Sequence, residues 1–184
     1  MIIHRLPLAD AAVIDAEPFL DHRGTFARFF CSREMEALVG DRQIVNVNFS
    51  HTSRRGAIRG MHFQRPPNQE MKLVRCIRGA VYDVIVDLRR ESSTFLAWHG
   101  EILSAENMKM LCVPEGFAHG FQTLEEDSEL LYLTTAFYAP ESEVGVRYDD
   151  PSVGIRWPLG VTEVSDKDAA HPLFLADPSP QGEM

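Results

Sequence analysis

The sequence predicts an all-β domain, a sandwich or a small closed barrel, on three observations. Short segments of alternating apolar and polar residues recur along the chain, Gly, Pro and Ser breaks separate them, and helical periodicity is scarce. Regularly spaced short strands with little helix are the mark of sandwiches and small barrels. At 184 residues the chain fits one domain, large enough to bury a substantial core.

The elements follow in chain order. Ser32 is placed to cap a short helix with Met35, Leu38 and Val39 as its apolar stripe, and Gly40 ends it. Arg59 and His62 stand three apart, so a regular strand would send them to opposite faces. Both reach one cavity only if the backbone kinks, and Gly60 is the natural place for a bulge; otherwise one of the two points elsewhere. Residues 73–77 read as a strand. Next, Tyr82, Val84, Val86 and Leu88 alternate with Val81, Asp83, Ile85 and Asp87, a period of two. Residues 110–113, 117–124 and 130–137 behave alike. If one strand runs from Tyr132 to Tyr138, both tyrosines share a face. A single domain over 1–175 is expected, with a loose Pro-rich and polar tail over 176–184. Barrels of this size hold one ligand among their inward side chains.

Composition narrows the partners. A net charge of −9 argues against nucleic acid, so an anionic ligand must be met locally by clustered Arg, Lys and His. Cys31, Cys76 and Cys112 are odd in number and form no CxxC pair, which indicates neither a disulfide framework nor a zinc knuckle. No apolar run reaches membrane-spanning length and the N-terminus shows no signal-peptide core. A cytoplasmic protein with no membrane partner is expected.

The chemistry concentrates in Arg59-Gly60-Met61-His62-Phe63-Gln64, Lys72, and Pro114-Glu115-Gly116-Phe117-Ala118-His119. A lone His usually fills a core slot, but two histidines, an Arg and a Lys on neighbouring strands make that account weaker. A metal site would use an HxH pair and a following acid. Here the pair is broken at Gln64, and Lys72 supplies a cation where a carboxylate would help, so no metal is expected. The same groups suit proton abstraction beside a ketone, which needs a base at the C–H and positive charge at the developing enolate oxygen. His62 can be that base and Lys72 the enolate stabiliser, with a carboxylate behind the His to orient it. Tyr132 or Tyr138 could return a proton from the other side, although a half-buried tyrosine with a satisfied hydroxyl is at least as common.

With these motifs the chain resembles the dTDP-4-dehydrorhamnose 3,5-epimerases of deoxysugar nucleotide biosynthesis. The resemblance spans residues 19–172 through DHRG at 21–24, RGMHFQ at 59–64, KLVRCIRGAVYDVIVDLR at 72–89 and LSAEN at 103–107. It continues through VPEGFAHGF at 113–121, YDDPSVGIRWP at 148–158 and SDKDA at 165–169. The resemblance implies a cupin-like jelly-roll barrel with a few short helices, a homodimer, no metal or other cofactor, and a nucleoside-diphosphate-linked 4-keto-6-deoxyhexose as substrate. By the same resemblance His62 is the proton acceptor backed by Asp168, Lys72 lies near the keto oxygen, and Tyr132 is the opposing proton donor. Tyr138 matches the position that stacks on the nucleobase. Arg23, Arg59, His119, Glu143 and Lys167 match positions that bind sugar, diphosphate or nucleoside, Arg23 serving the partner's ligand. Asn46 and Asn48 fall in the segment that reads the base. The chain departs from the pattern at Arg28, where a glutamate near the substrate is common, at Phe137, at Gln69-Glu70-Met71, and in a longer stretch over 48–56. Two rivals stand beside the double epimerase: a single-centre 3- or 5-epimerase, and a silent barrel that only binds a sugar nucleotide.

Overall fold

Side chains of period two leave each strand two faces, and this chain buries both faces of its central strands. The computed structural model describes residues 1–174, so the tail expected over 176–184 lies outside the described residues. One sheet runs β1 (Ile2–Arg5), β2 (Ala12–Asp15), β10 (Met110–Val113), β7 (Lys72–Arg78), β12 (Ser128–Thr134) and β5 (Asn46–Thr52) in spatial order. The second runs β13 (Glu143–Gly145), β6 (Ala57–Gln64), β11 (Phe117–Thr123), β8 (Ala80–Asp87) and β9 (Trp98–Ser104), with β14 (Glu163–Val164) parallel to β6. A separate hairpin joins β3 (Phe19–Asp21) to β4 (Gly24–Phe26). Two short helices, α1 (Glu36–Val39) and α2 (Asp166–Ala169), complete the described elements. The expected all-β architecture is what forms, a sandwich of two mainly antiparallel sheets.

The inner faces meet in a core of Val74, Cys76, Val81, Ile85, Leu111, Phe117 and Leu130. Each fully buried aliphatic or aromatic side chain contributes roughly 1.5–3 kcal/mol. The outer face of the first sheet, with Ile14, Leu73 and Met110, is covered by Met35, Leu38 and Val39. The outer face of the second carries Val84, Val86 and Met61 beneath Val146, Val153 and Trp157. Strand β8 is therefore apolar on both sides, with Asp83 and Asp87 as its buried polar exceptions. No helix among the described residues is long and apolar enough to cross a membrane.

Two local expectations need correction. Helix α1 starts later than Ser32, which lies in the preceding turn; Met35 holds the N-cap position with no side-chain bond, while Gly40 ends the helix at φ 60° as expected. The strand read as 130–137 stops at Thr134, so Tyr138 lies in a loop and parity no longer relates it to Tyr132. Side chains replace the ladder beyond that point. Asn46 Nδ2 donates to the Ala136 carbonyl, Gln64 Nε2 donates to the Phe137 carbonyl, and the Ala139 N–H donates to Gln64 Oε1.

Candidate active site

The kink at Gly60 builds the site. Arg59 of β6 pairs with Phe121 of β11 and His62 pairs with His119, so three steps on β6 face two on β11. That mismatch is a bulge, and it turns Arg59 and His62 into one cavity. Gly60 has φ 117°, and a Cβ there would lie 2.6 Å from Gly120 Cα and 2.7 Å from the His119 carbonyl oxygen. Only glycine tolerates that approach.

The cavity, about 680 Å³, opens between the two sheets. The second sheet supplies Arg59, His62 and His119, and the first supplies Lys72 and Tyr132. A smaller hollow of about 290 Å³ shares His62, Lys72 and Tyr132 and is lined also by Asn46, Asn48, Glu70, Tyr138 and Glu143. Together they offer the space a medium-sized ligand needs. Lys167 and Asp168 line the larger cavity because β14 pairs with Ala57 and Ile58 and delivers α2 beside β6. Ser165 caps that helix by accepting the Asp168 N–H at 3.1 Å.

Asp168 is buried, with Oδ1 2.7 Å from His62 Nε2 and Oδ2 accepting the Gly60 N–H at 3.1 Å. Burial alone would raise its carboxyl pKa. The bonds from His62 and Gly60 outweigh that and hold it below the ordinary carboxylate range. An ionised acceptor holds the His62 proton on Nε2, which leaves the Nδ1 lone pair open to accept a proton. Burial first, then the charge of Glu70, raises the Tyr132 hydroxyl, so it keeps its proton at neutral pH. Glu70 Oε1 is 3.1 Å from Lys72 Nζ, and both side chains are largely buried. His119 Nε2 meets Asp83 at 2.8 and 3.0 Å. Arg59 is held by Thr52 Oγ1 at 2.9 Å and the His51 carbonyl at 3.2 Å. Glu143 Oε2 accepts from Tyr138 at 2.6 Å and Lys167 at 2.7 Å. The arrangement can take a proton from carbon on one side, stabilise an oxyanion, and deliver a proton from the other.

The structure thus gathers eleven of the thirteen residues expected from the sequence around the joined cavities. Arg23 and Arg28 lie outside both. Arg23 sits at the exposed tip of the β3–β4 hairpin, paired with Asp21 at 3.1 Å from Nε, and Arg28 pairs with Glu34 at 2.6 Å. Sequence reasoning missed Asp83 as the partner of His119, Glu70 as the partner of Lys72, and His171. The His171 ring meets that of His62 edge-on, centroids 5.8 Å apart. Its Nε2 is buried without a hydrogen bond, 3.9 Å from Asp168 Oδ1. His62, Asp168 and His171 therefore hold one potential ligand atom each within 4.8 Å of one another.

A sequence model of the family described as dTDP-4-dehydrorhamnose 3,5-epimerase matches residues 5–176. The chain belongs to this family. It is 45% identical over 176 residues to the dTDP-4-dehydrorhamnose 3,5-epimerase of Salmonella typhimurium, covering 95% of this chain and 96% of that one. Among solved structures it is similar to the dTDP-6-deoxy-D-glucose-3,5-epimerase of Legionella pneumophila in complex with dTDP-4-keto-L-rhamnose. That match has a TM-score of 0.87 and 40% identity over 92% of this chain and 90% of the other. It is similar too to a 3'-monoepimerase from Streptomyces bikiniensis in complex with dTDP-quinovose. There the TM-score is 0.85 and the identity 32%, covering 92% of this chain and 86% of the other. Family and fold agree with the resemblance drawn from the motifs.

Proposed function

We propose that this chain is a sugar-nucleotide epimerase that inverts C3, C5 or both in a dTDP-4-keto-6-deoxyhexose. The observation that carries the reading is the His62–Asp168 dyad on one sheet, facing a cavity shared with Lys72 and a protonated Tyr132 on the other. The 4-keto group acidifies the hydrogens at both neighbouring carbons. In this reading His62 Nδ1 takes the proton, and the C–H electron pair moves into the enolate. The Lys72 ammonium stabilises the oxygen, Asp168 compensates the imidazolium, and Tyr132 protonates the opposite face. Arg59, His119 and Lys167 supply donors suited to a diphosphate. Asn46, Asn48, Tyr138 and Glu143 line the smaller hollow, suited to the nucleoside. No redox step enters this chemistry. A single-centre epimerase is the second reading, favoured by the match to the 3'-monoepimerase.

The test is a turnover panel of 4-keto-6-deoxyhexoses on different nucleotides in heavy water. The thymidine compound is expected to react and to carry deuterium at C3 and C5. Deuterium and inversion at one carbon only would replace the double epimerase with the single-centre one. Turnover confined to a cytidine- or guanosine-linked sugar would overturn the choice of base, and binding without exchange would leave the silent barrel.

The reading includes a homodimer. Phe19, Leu20 and Phe26 on the β3–β4 hairpin and Val47 and Phe49 on the edge strand β5 are large apolar side chains left exposed in the single chain. Phe30 packs into the chain's own core instead. A second copy would cover the exposed set and would place Arg23 near the neighbour's cavity. Light scattering at micromolar concentration is expected to give twice the chain mass; a fully active monomer would contradict this. Three unpaired cysteines fit a reducing cytoplasm.

A further inference from the structure

We propose that His62, Asp168 and His171 form a site for zinc-class divalent cations, and that its occupation switches the dyad off. The switching half rests on the role proposed for His62; the site itself does not. Zinc takes imidazole nitrogen at about 2.0–2.1 Å and carboxylate oxygen at about 2.0–2.2 Å, so tetrahedral ligand atoms lie roughly 3.3 Å apart. The separations from Asp168 Oδ1, 2.7 Å to His62 Nε2 and 3.9 Å to His171 Nε2, bracket that value.

His171 is the residue that points to a ligand. Its Nε2 is buried and makes no hydrogen bond, a cost most buried polar atoms avoid. The neutral imidazole offers that Nε2 lone pair to a cation, and the Asp168 carboxylate lies 3.9 Å away to share it. Lys167 and Glu143 nearby are bound to each other at 2.7 Å. Asp168 Oδ2 is already anchored by the Gly60 N–H, the kind of outer contact that steadies a ligating carboxylate. Two imidazoles and one carboxylate leave a fourth position for water. Such a set suits zinc and rejects magnesium and calcium, which want all-oxygen shells.

Occupation would silence the base through its tautomer. The ion takes the Nε2 electron pair and displaces the proton now shared with Asp168. A neutral imidazole bound through Nε2 carries its hydrogen on Nδ1, where the lone pair needed for abstraction had been. As Nε2 gives up its proton, Nδ1 takes one up through solvent, so a neutral His62 changes tautomer with no net proton release, and affinity falls only where acid protonates the imidazoles.

Binding can be read without turnover. Chelator-treated protein is titrated with zinc by calorimetry and with cobalt by visible absorbance, for the native chain and for His171→Phe, which fills the space over Gly145 without a ligand atom. One ion per chain is expected in the native protein, with a four-coordinate cobalt spectrum. The Phe variant should bind at least about tenfold more weakly, since loss of an outer contact alone costs that much. His171→Ala repeats the comparison should Phe disturb folding. Turnover should fall in step with zinc occupancy, recover with chelator, ignore magnesium, and persist in zinc-treated His171→Phe. Equal zinc affinity in native and variant chains, or no stoichiometric uptake at micromolar zinc, overturns the site. Uptake that leaves turnover intact overturns the switch. Uptake by a chain that turns over no keto sugar supports the site and removes the proposed function.

Discussion

Replacing His62 with Asn is expected to remove both epimerisation and exchange of the C3 and C5 hydrogens with heavy water, whereas Tyr132→Phe should keep exchange and lose inversion. The two residues line one cavity from different sheets, and in the proposed mechanism each serves one half of the reaction. Asp168 holds the His62 proton on Nε2 and leaves Nδ1 basic; burial and Glu70 keep the Tyr132 hydroxyl protonated. Without the His62 imidazole, the other histidine of the cavity, His119, stays bound to Asp83, and a loss of about 10²–10⁴-fold is the scale for general-base removal. Without the phenol, the enolate still forms, and protonated His62 can return a proton only to the face it left. Asp168→Asn should behave as a weakened His62 variant, because the imidazolium loses its compensating charge. Mass spectrometry of recovered sugar reads exchange, and proton NMR reads configuration. Exchange that survives in the His62 variant and vanishes in the Tyr132 variant would reverse the two assignments.

Lys72→Met is expected to lower kcat by about 10²–10³-fold, the scale for losing one oxyanion donor. A second effect should be visible behind it. Glu70 is 3.1 Å from the ammonium and largely buried, so removing the lysine strands a carboxylate where enolate charge develops. The Lys72→Met, Glu70→Gln double variant should therefore be more active than Lys72→Met alone. Thermal unfolding should show the same order, the double variant being the more stable. Steady-state kinetics on the three chains checks this by a mutant cycle. Equal rates for single and double variants would mean that Glu70 does not sense the enolate.

How far the sequence reached depended on the range of the cause. Strands β7, β8, β10 and β11 were legible because alternation is a local signal, and the ends differ by a residue at most. Parity narrowed the site to two readings: Arg59 and His62 cannot share a regular strand face, so either Gly60 bulges or one side chain points elsewhere, and the structure has the bulge, with Gly60 at φ 117°. The end of β12 was not legible. It is dictated by side chains of Asn46 and Gln64, distant in sequence, which take the hydrogen bonds that would have continued the ladder. Helix α1 misled because Ser32 has the right chemistry for a cap, but the turn that intervenes leaves it outside the helix. Glu70 carried a usable sign, since residues two apart on extended backbone share a face and its charge is opposite to that of Lys72. His171 carried none. Its neighbours His62 and Gly145 come from other strands, and nothing in the spacing of the chain announces their meeting.

The proposed base, His62, and the proposed acid, Tyr132, ride on separate sheets, and that has a consequence for fidelity. Their spacing belongs to neither strand; it is set by the hydrocarbon filling between the sheets, where Leu130 and Phe121 belong to the core and also line the cavity. An enolate has no memory of the face it came from, so the handedness of the product depends on which proton source lies nearer. If that filling loosens, water reaches the ring and either face can be quenched. Damage to the greasy interior would then appear as the wrong diastereomer rather than as a slow enzyme. On the proposed mechanism the hydrophobic core would be a ruler for stereochemistry as well as a source of stability.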